Sequence, residues 1–178
     1  MSKPLKAQWI RFPYKLPATA LAARAAAAAP GLANGHYAHA FVLGPLSPRI
    51  SVLKALAAGH ATRVRASLER ALEPEPKHAD ARIALGQYHA EIVAKVGRLA
   101  ARLTYGASGE AALRHFKGAI RLLPESAIAP IEHGNGLLAL YGDARRDQTV
   151  GLYARAASFE PLAGMERVAV EPARAERD

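Results

Sequence analysis

The sequence predicts an all-α fold built from a series of helix hairpins, and three observations support this prediction. Apolar residues recur at helical spacing in residues 111–124, this segment ends at a proline, and the same arrangement returns twice elsewhere in the chain. With 178 residues, 51% of them apolar, the chain is long enough to form one domain with a sizeable core.

The segment 111–124 shows how one half of such a hairpin is made. Ala112, Phe116 and Ala119 fall on one helix face, because offsets of three and four residues return to the same side. The small residues let a second helix approach closely while the aromatic ring fills the space between them. Pro124 ends the helix because it cannot continue the hydrogen-bond ladder.

The other half of the hairpin and two further copies lie upstream and downstream. Leu85 and Gly86 form a contact pair in which the glycine lets the partner helix sit against bare backbone. A repeat that opens three residues after Pro76 places this pair on its first helix. The two further copies consist of Val64, Leu68, Ala71 and Pro76, and of Thr149, Tyr153, Ala156 and Pro161.

Leu-Gly on a first helix, followed by Ala-x3-Phe-x2-Ala-x4-Pro on a second, resembles the tetratricopeptide repeat. The resemblance implies a right-handed superhelix of about three helix hairpins. Its repeats would cover about 45–78, 79–126 and 127–161, followed by a C-terminal capping helix. A basic, alanine-rich segment, 1–44, precedes this repeat domain of residues 45–178.

The spacing of the prolines predicts an extended first helix in the middle repeat. Pro76 and Pro124 are 48 residues apart, whereas this repeat is about 34 residues long. The extra residues keep helical spacing, and Tyr105-Gly106 then ends the helix by a glycine cap. The predicted hairpins pair about 47–58 with 61–73, 79–104 with 109–123, and 127–141 with 144–159, with a C-terminal helix near 162–171.

A second resemblance covers about a third of the chain. The stretch KVGRLAARLTYGASGEAALRHFKGAIRLLPESA is similar to bacterial relatives of the regulator-of-microtubule-dynamics family, which are repeat proteins with a lengthened helix in one hairpin. This resemblance implies a monomeric, adaptor-like domain and supplies no catalytic residues.

In tetratricopeptide repeats the first helices line a concave groove that holds an extended or helical peptide. The resemblance therefore implies a mostly apolar partner-binding groove, with filling of that groove by the N-terminal segment or the C-terminal helix as the alternative. Its positions would be Arg49, Leu53, Leu56, Ile83, Gln87, Ala90, Glu91, Ile128, Ile131, Asn135 and Leu138.

The net charge of +9 is concentrated in the first third of the chain. Residues 1–68 contain nine lysines and arginines and no acid. Such a segment attracts nucleic acid, an anionic membrane or an acidic protein. Because the bases are scattered rather than clustered, we favour a solvated basic face and do not expect nucleic acid as the partner.

Motifs for catalysis or cofactors are scarce. There is no cysteine, no phosphate-binding loop, and the glycines of 134–136 lack a preceding strand. His36 and His39 are spaced as two metal ligands, but no third ligand accompanies them. The sequence therefore predicts no catalytic residue, no metal and no cofactor.

The N-terminus resembles a leader, with AHA at 38–40 as a possible cleavage site, but Arg24 interrupts the apolar run. We therefore expect a cytoplasmic protein, or a periplasmic one if the leader is cleaved. No apolar run is long enough for a transmembrane helix. The predicted function is a monomeric, non-enzymatic scaffold for a protein or peptide partner. The alternatives are an exported ligand-binding or transport-associated subunit, and contact with nucleic acid or a membrane through the basic third.

Overall fold

The computed structural model describes residues 18–43 and 59–159, and every regular element in these ranges is helical. The prediction of an all-α fold is therefore confirmed for the described residues. The helices are α1 (Ala18–Ala28), α2 (Ala33–Leu43), α3 (His60–Leu72), α4 (Ala79–Val96), α5 (Arg98–Tyr105), α6 (Gly109–Leu122), α7 (Ile128–Tyr141) and α8 (Arg146–Ala157). A 3₁₀ turn, Gly142–Arg145, joins the last two. None of the described helices combines the length and apolarity needed to cross a bilayer.

Several predicted features lie outside the described residues. They are the helix at 47–58, the C-terminal helix at 162–171, the groove residues Arg49, Leu53 and Leu56, and Pro161. Among the described helices, α3 packs most extensively against α2, not against a helix that follows it.

Helices α1 and α2 were not expected, because the sequence analysis assigned no hairpin to residues 1–44. Alanine has the highest helix propensity, and an alanine-rich run forms α1, which ends before Pro30. In α2, Ala40 is 3% exposed and packs against Leu68 and Ala71 of α3. The two helices are therefore part of the packed fold.

His78 joins the N-terminal helices to the rest of the protein. It is the N-cap of α4, and its Nδ1 accepts a hydrogen bond from the backbone N–H of Ala81 at 3.4 Å. Its Nε2 lies 3.0 Å from Oδ1 of Asn34 on α2. One buried side chain thus satisfies a free helix N–H and links two helices that are distant in sequence.

The prediction of one long helix over 79–104 is wrong, because the chain breaks at Gly97. Gly97 has φ of +80°, outside the helical region, and its N–H still donates to the carbonyl of Val93 at 2.9 Å. After the break, α5 folds back so that Ala101 packs into the cluster around Tyr88. The expected glycine cap after Tyr105 is present, since Gly106 has φ of +58° and donates to the carbonyl of Ala101.

The break also changes which residues of α5 face the core. Leu99 and Leu103 keep the helical spacing of α4 in the sequence, yet they are 72% and 75% exposed. Ala101 is fully buried instead, and the backbone carbonyl of Tyr105 accepts a hydrogen bond from the Tyr88 hydroxyl at 3.0 Å. Sequence periodicity identified a helical segment here but placed its buried face wrongly.

The centre of the structure is the ring of Phe116, which is fully buried between α4 and α7. A Cβ atom on Gly86 would lie 2.6 Å from a carbon of this ring. A Cβ atom on Gly136 of α7 would collide with the ring from the other side. The ring also stacks on His133, with the ring centroids 5.5 Å apart. The predicted close approach of the second helix to Gly86 is therefore present in the structure, and the ring of Phe116 makes this contact.

The next hairpin repeats this contact. A Cβ atom on Gly134 of α7 would lie 2.7 Å from the ring of Tyr153 on α8. Tyr153 packs with Ile131 and Ala156 in a separate cluster. Gly134 thus faces an aromatic ring on the following helix, as Gly86 does one hairpin earlier.

Three histidines lie within the helix layers instead of at the surface. His89 of α4 and His133 of α7 are 5% and 7% exposed, and His115 of α6 stacks on His89 with ring centroids 5.6 Å apart. The Nδ1 atoms of all three are buried and have no hydrogen-bond partner among the described residues. Burial lowers the pKa of His89 and of His133 to about 4, because the charged imidazolium loses its hydration. The pKa of His115 is lowered for the same reason.

Replacing Gly86 with leucine should destabilise the protein by about 1–3 kcal/mol, because the buried ring of Phe116 has no room to withdraw. Phe116→Ala should cost about 3–5 kcal/mol through the cavity that it leaves. Denaturant unfolding measures both changes in the free energy of unfolding.

Gly151 provides the matched control for this prediction, because it also lies inside a helix but no atom stands within 4 Å of a Cβ built on it. Gly151→Ala should raise stability by about 0.5–1 kcal/mol through helix propensity, whereas Gly86→Ala should lower it. Equal gains in both variants would contradict the packing described for Gly86.

Stability should fall as the pH decreases from about 6.5 to about 4. The folded-state pKa of His89 and of His133 lies below the unfolded value near 6.5, so the unfolded chain binds protons first in this interval. The stabilisation that the two neutral histidines contribute is therefore complete above about pH 6.5 and is lost as the pH falls toward 4. Thermal melts at several pH values measure it.

His133→Gln separates this effect from the titration of carboxylates. The variant should show a smaller loss of melting temperature between pH 7 and pH 4.5 than the wild type. An unchanged loss would mean that this histidine does not carry the acid sensitivity.

Candidate functional site

The described members of the predicted groove lie on α4 and α7, which pack against each other. Glu91, Asn135 and Leu138 are exposed. Gln87 and Ile128 are half-buried.

The remaining apolar members are buried among the helices. Ile83 packs with Ala119 and Ala129, and Ala90 packs against Phe116. Ile131 belongs to the cluster around Tyr153. The accessible part of this face is consequently more polar than the sequence pattern suggested.

A chain of hydrogen bonds crosses this face from α4 to α8. Nε2 of Gln87 donates to Oε2 of Glu132 at 2.6 Å, and Nδ2 of Asn135 donates to the same oxygen at 3.3 Å. The hydroxyl of Tyr153 donates to Oδ1 of Asn135 at 2.8 Å. We call these four residues the amide network. The carboxylate of Glu132 links α4 to α7, and the amide of Asn135 links α7 to α8.

The carboxylate of Glu132 forms no ion pair with any of the described residues. The ion pairs among the described residues are Arg65 with Glu69, Lys95 with Glu91, and Arg98 with Glu110, so none includes Glu132. The amide donors orient the carboxylate but do not neutralise it. This oxygen pair is therefore suited to receive a cationic group from a ligand.

A second candidate site is a cleft of about 550 Å³ between α1, α2 and α3, which we call the N-terminal cleft. Ala23, Ala26, Ala27 and Pro30 form one wall, and Arg63, Ala66, Ser67 and Arg70 form another, with His36 and His39 of α2 between them. The offsets of three, four and seven residues place Arg63, Ala66, Ser67 and Arg70 on one face of α3, and Ala23, Ala26 and Ala27 on one face of α1, with Pro30 following the end of that helix.

Hydrogen bonds hold the two histidines of the cleft in place. Nε2 of His36 lies 3.0 Å from the carbonyl of Pro30, and Nδ1 of His39 lies 2.8 Å from Oγ of Ser67. Burial lowers the pKa of His39, and its electrostatic interactions with the His36 ring and the Arg63 guanidinium add to this effect. His39 is therefore neutral at pH 7.

The contact of His39 with Ser67 has the length of a nucleophile and base pair. No side chain that lines the cleft is acidic, so no carboxylate there orients the imidazole ring in the manner of a hydrolase triad. The arrangement serves to join α2 to α3 and to place polar groups beside the alanine wall.

In the sequence, His36 and His39 are spaced as two metal ligands. Within residues 18–43 and 59–159, no group of three or more His, Cys, Asp or Glu side chains is arranged to hold a metal ion. The structure assigns both side chains to the cleft instead. Sequence reasoning missed Ser67 and Arg70 as their neighbours, because only the packing of α2 on α3 brings the four together.

No protein-family model matches the chain, and neither a curated protein nor a solved structure matches it at a significant level. The function is therefore argued from the two surfaces described above.

Proposed function

We propose that the protein is a non-enzymatic helical-repeat scaffold of the tetratricopeptide type, which binds a peptide segment of a protein partner on the face shared by α4 and α7. The observation that carries this proposal is the amide network, which presents the unneutralised carboxylate of Glu132 between two adjacent helices.

The repeated contact between glycine and an aromatic ring supports the repeat architecture. Gly86 faces Phe116 on the next long helix, and Gly134 faces Tyr153 on the next helix. In both hairpins the first helix has a glycine at the contact, and the missing side chain lets the second helix approach closely. Helix α4 also contacts α7, so the two first helices lie side by side, as a continuous binding surface requires.

The charges on this face indicate the chemistry of the partner. Glu91 of α4 and Glu132 of α7 supply acidic groups, and among the described residues Glu91 forms an ion pair with Lys95 whereas Glu132 forms none. Leu138 is 40% exposed and provides an apolar contact on the same helix as Glu132. A segment that carries lysine or arginine next to an apolar side chain fits this combination, because opposite charges steer and orient binding while apolar contact supplies affinity.

Selection of linear peptides displayed on phage against the immobilised protein tests the proposal. Enriched peptides should combine a basic residue with an apolar one. A synthetic copy of an enriched peptide should bind Glu132→Gln about tenfold or more weakly, because a charge-assisted hydrogen bond becomes a neutral one. Isothermal titration calorimetry measures the affinities.

Glu125→Gln is the matched control, since it removes one exposed acid from the loop between α6 and α7. Binding should be the same as for the wild type. Failure to enrich any peptide, or equal loss of affinity in both variants, would contradict the proposed binding face.

A further inference from the structure

We propose that the N-terminal cleft is a binding site for a small anionic amphiphile, a molecule with a carboxylate or phosphate group and a compact apolar part. The juxtaposition of Arg63 and Arg70 with the alanine wall of α1 carries this inference.

The cleft is cationic because the part of the chain that builds it is almost free of acids. Residues 1–68 contain no aspartate or glutamate, and none of the lining side chains is acidic. Arg63 and Arg70 form no ion pair with any described residue, whereas the nearby Arg65 is paired with Glu69 at 2.8 Å. The two cleft arginines thus keep their full set of donors for a ligand.

The geometry of α3 presents both arginines on the same side. They are seven residues apart, which is two helical turns or about 10 Å along the axis. Ser67, in contact with His39, lies between them along the helix. An anionic group that enters at either end of this row meets a guanidinium, which forms paired hydrogen bonds with carboxylate and phosphate oxygens.

The opposite wall favours an apolar group. Ala23, Ala26 and Ala27 present only methyl groups and leave room, because no longer side chain fills the space. The volume of about 550 Å³ lies within the range of about 300–1,000 Å³ typical of small-molecule sites. A purely inorganic anion would leave most of this wall uncovered.

Nucleic acid fits this site less well. Binding of single strands uses stacked aromatic side chains and a long track of phosphate contacts. The described residues that line the cleft include no Phe, Tyr or Trp, and its cationic row ends after two arginines. The chemistry of the cleft therefore favours one small anion over a polymer.

Calorimetric titration of the full chain with octanoate, at constant ionic strength, tests the proposal. Octanoate should bind, and the double variant Arg63→Gln with Arg70→Gln should weaken its binding by about tenfold or more, since hydrogen bonds to charged groups are lost. Octanol, which has the same chain without the charge, and inorganic phosphate, which has the charge without the chain, should each bind at least about tenfold more weakly than octanoate.

Two further variants separate the cleft from general charge and from unfolding. Arg121→Gln removes one exposed arginine of α6 and should leave octanoate affinity unchanged. Ala27→Trp fills the cleft without changing its charge and should abolish binding, while helical circular dichroism remains at the wild-type level.

The proposal is overturned by any of four results. These are an absence of octanoate binding, equal binding of octanol, equal binding of phosphate, and octanoate binding that the double variant does not weaken. Salt-sensitive binding of a single-stranded oligonucleotide through the same two arginines, without octanoate binding, would assign the cleft to nucleic acid instead.

Discussion

The structure depends on the placement of one aromatic ring between two glycines. Phe116 is fully buried, and it occupies the space that side chains at Gly86 and Gly136 would need. Glycine inside a helix is unfavourable by about 0.5–1 kcal/mol relative to alanine. Here that cost permits α4 and α7 to close on the ring of α6 from two sides. The position of α7, and with it the position of Glu132, follows from this contact.

Small residues set the character of the remaining core. Alanine is the commonest buried residue, and Ala71, Ala112 and Ala156 are fully buried. Alanine lets helices approach closely but buries little apolar area, so a few large side chains carry much of the hydrophobic stabilisation. Among the described residues, the large side chains that are almost wholly buried include those of Phe116, Leu68 and Leu85. Substitutions at these positions therefore lower the stability of the fold by more than the apolar composition suggests.

The two candidate sites differ in charge although they belong to one basic chain. The N-terminal cleft has no acid among its described lining residues and offers two arginines that form no ion pair with a described residue. The amide network offers the carboxylate of Glu132, which accepts hydrogen bonds from the amides of Gln87 and Asn135, and the hydroxyl of Tyr153 in turn holds Asn135. The net charge of the chain does not predict the charge of either surface, because each surface charge depends on which few side chains the helices bring together.

The sequence by itself determined the helical class, the second and third hairpins and the close approach of the second helix to Gly86. Apolar spacing, glycine and proline act over a few residues, so these features are local and can be recognised in the sequence. The prediction failed at Gly97, where the fold-back of α5 buries Ala101 and exposes Leu99. Periodicity continues through such a break, since it records only the order of apolar residues.

Only the tertiary structure decided how residues 18–43 pack and which residues form the two sites. The alanine-rich composition of residues 18–43 did not by itself predict a helix pair, and the packing of Ala40 of α2 on α3 joins them to the rest of the described helices. His39 and Ser67 are 28 residues apart in sequence, and Gln87 and Glu132 are 45 apart. Contacts over such distances arise from the way helices pack, which no local pattern in the sequence records.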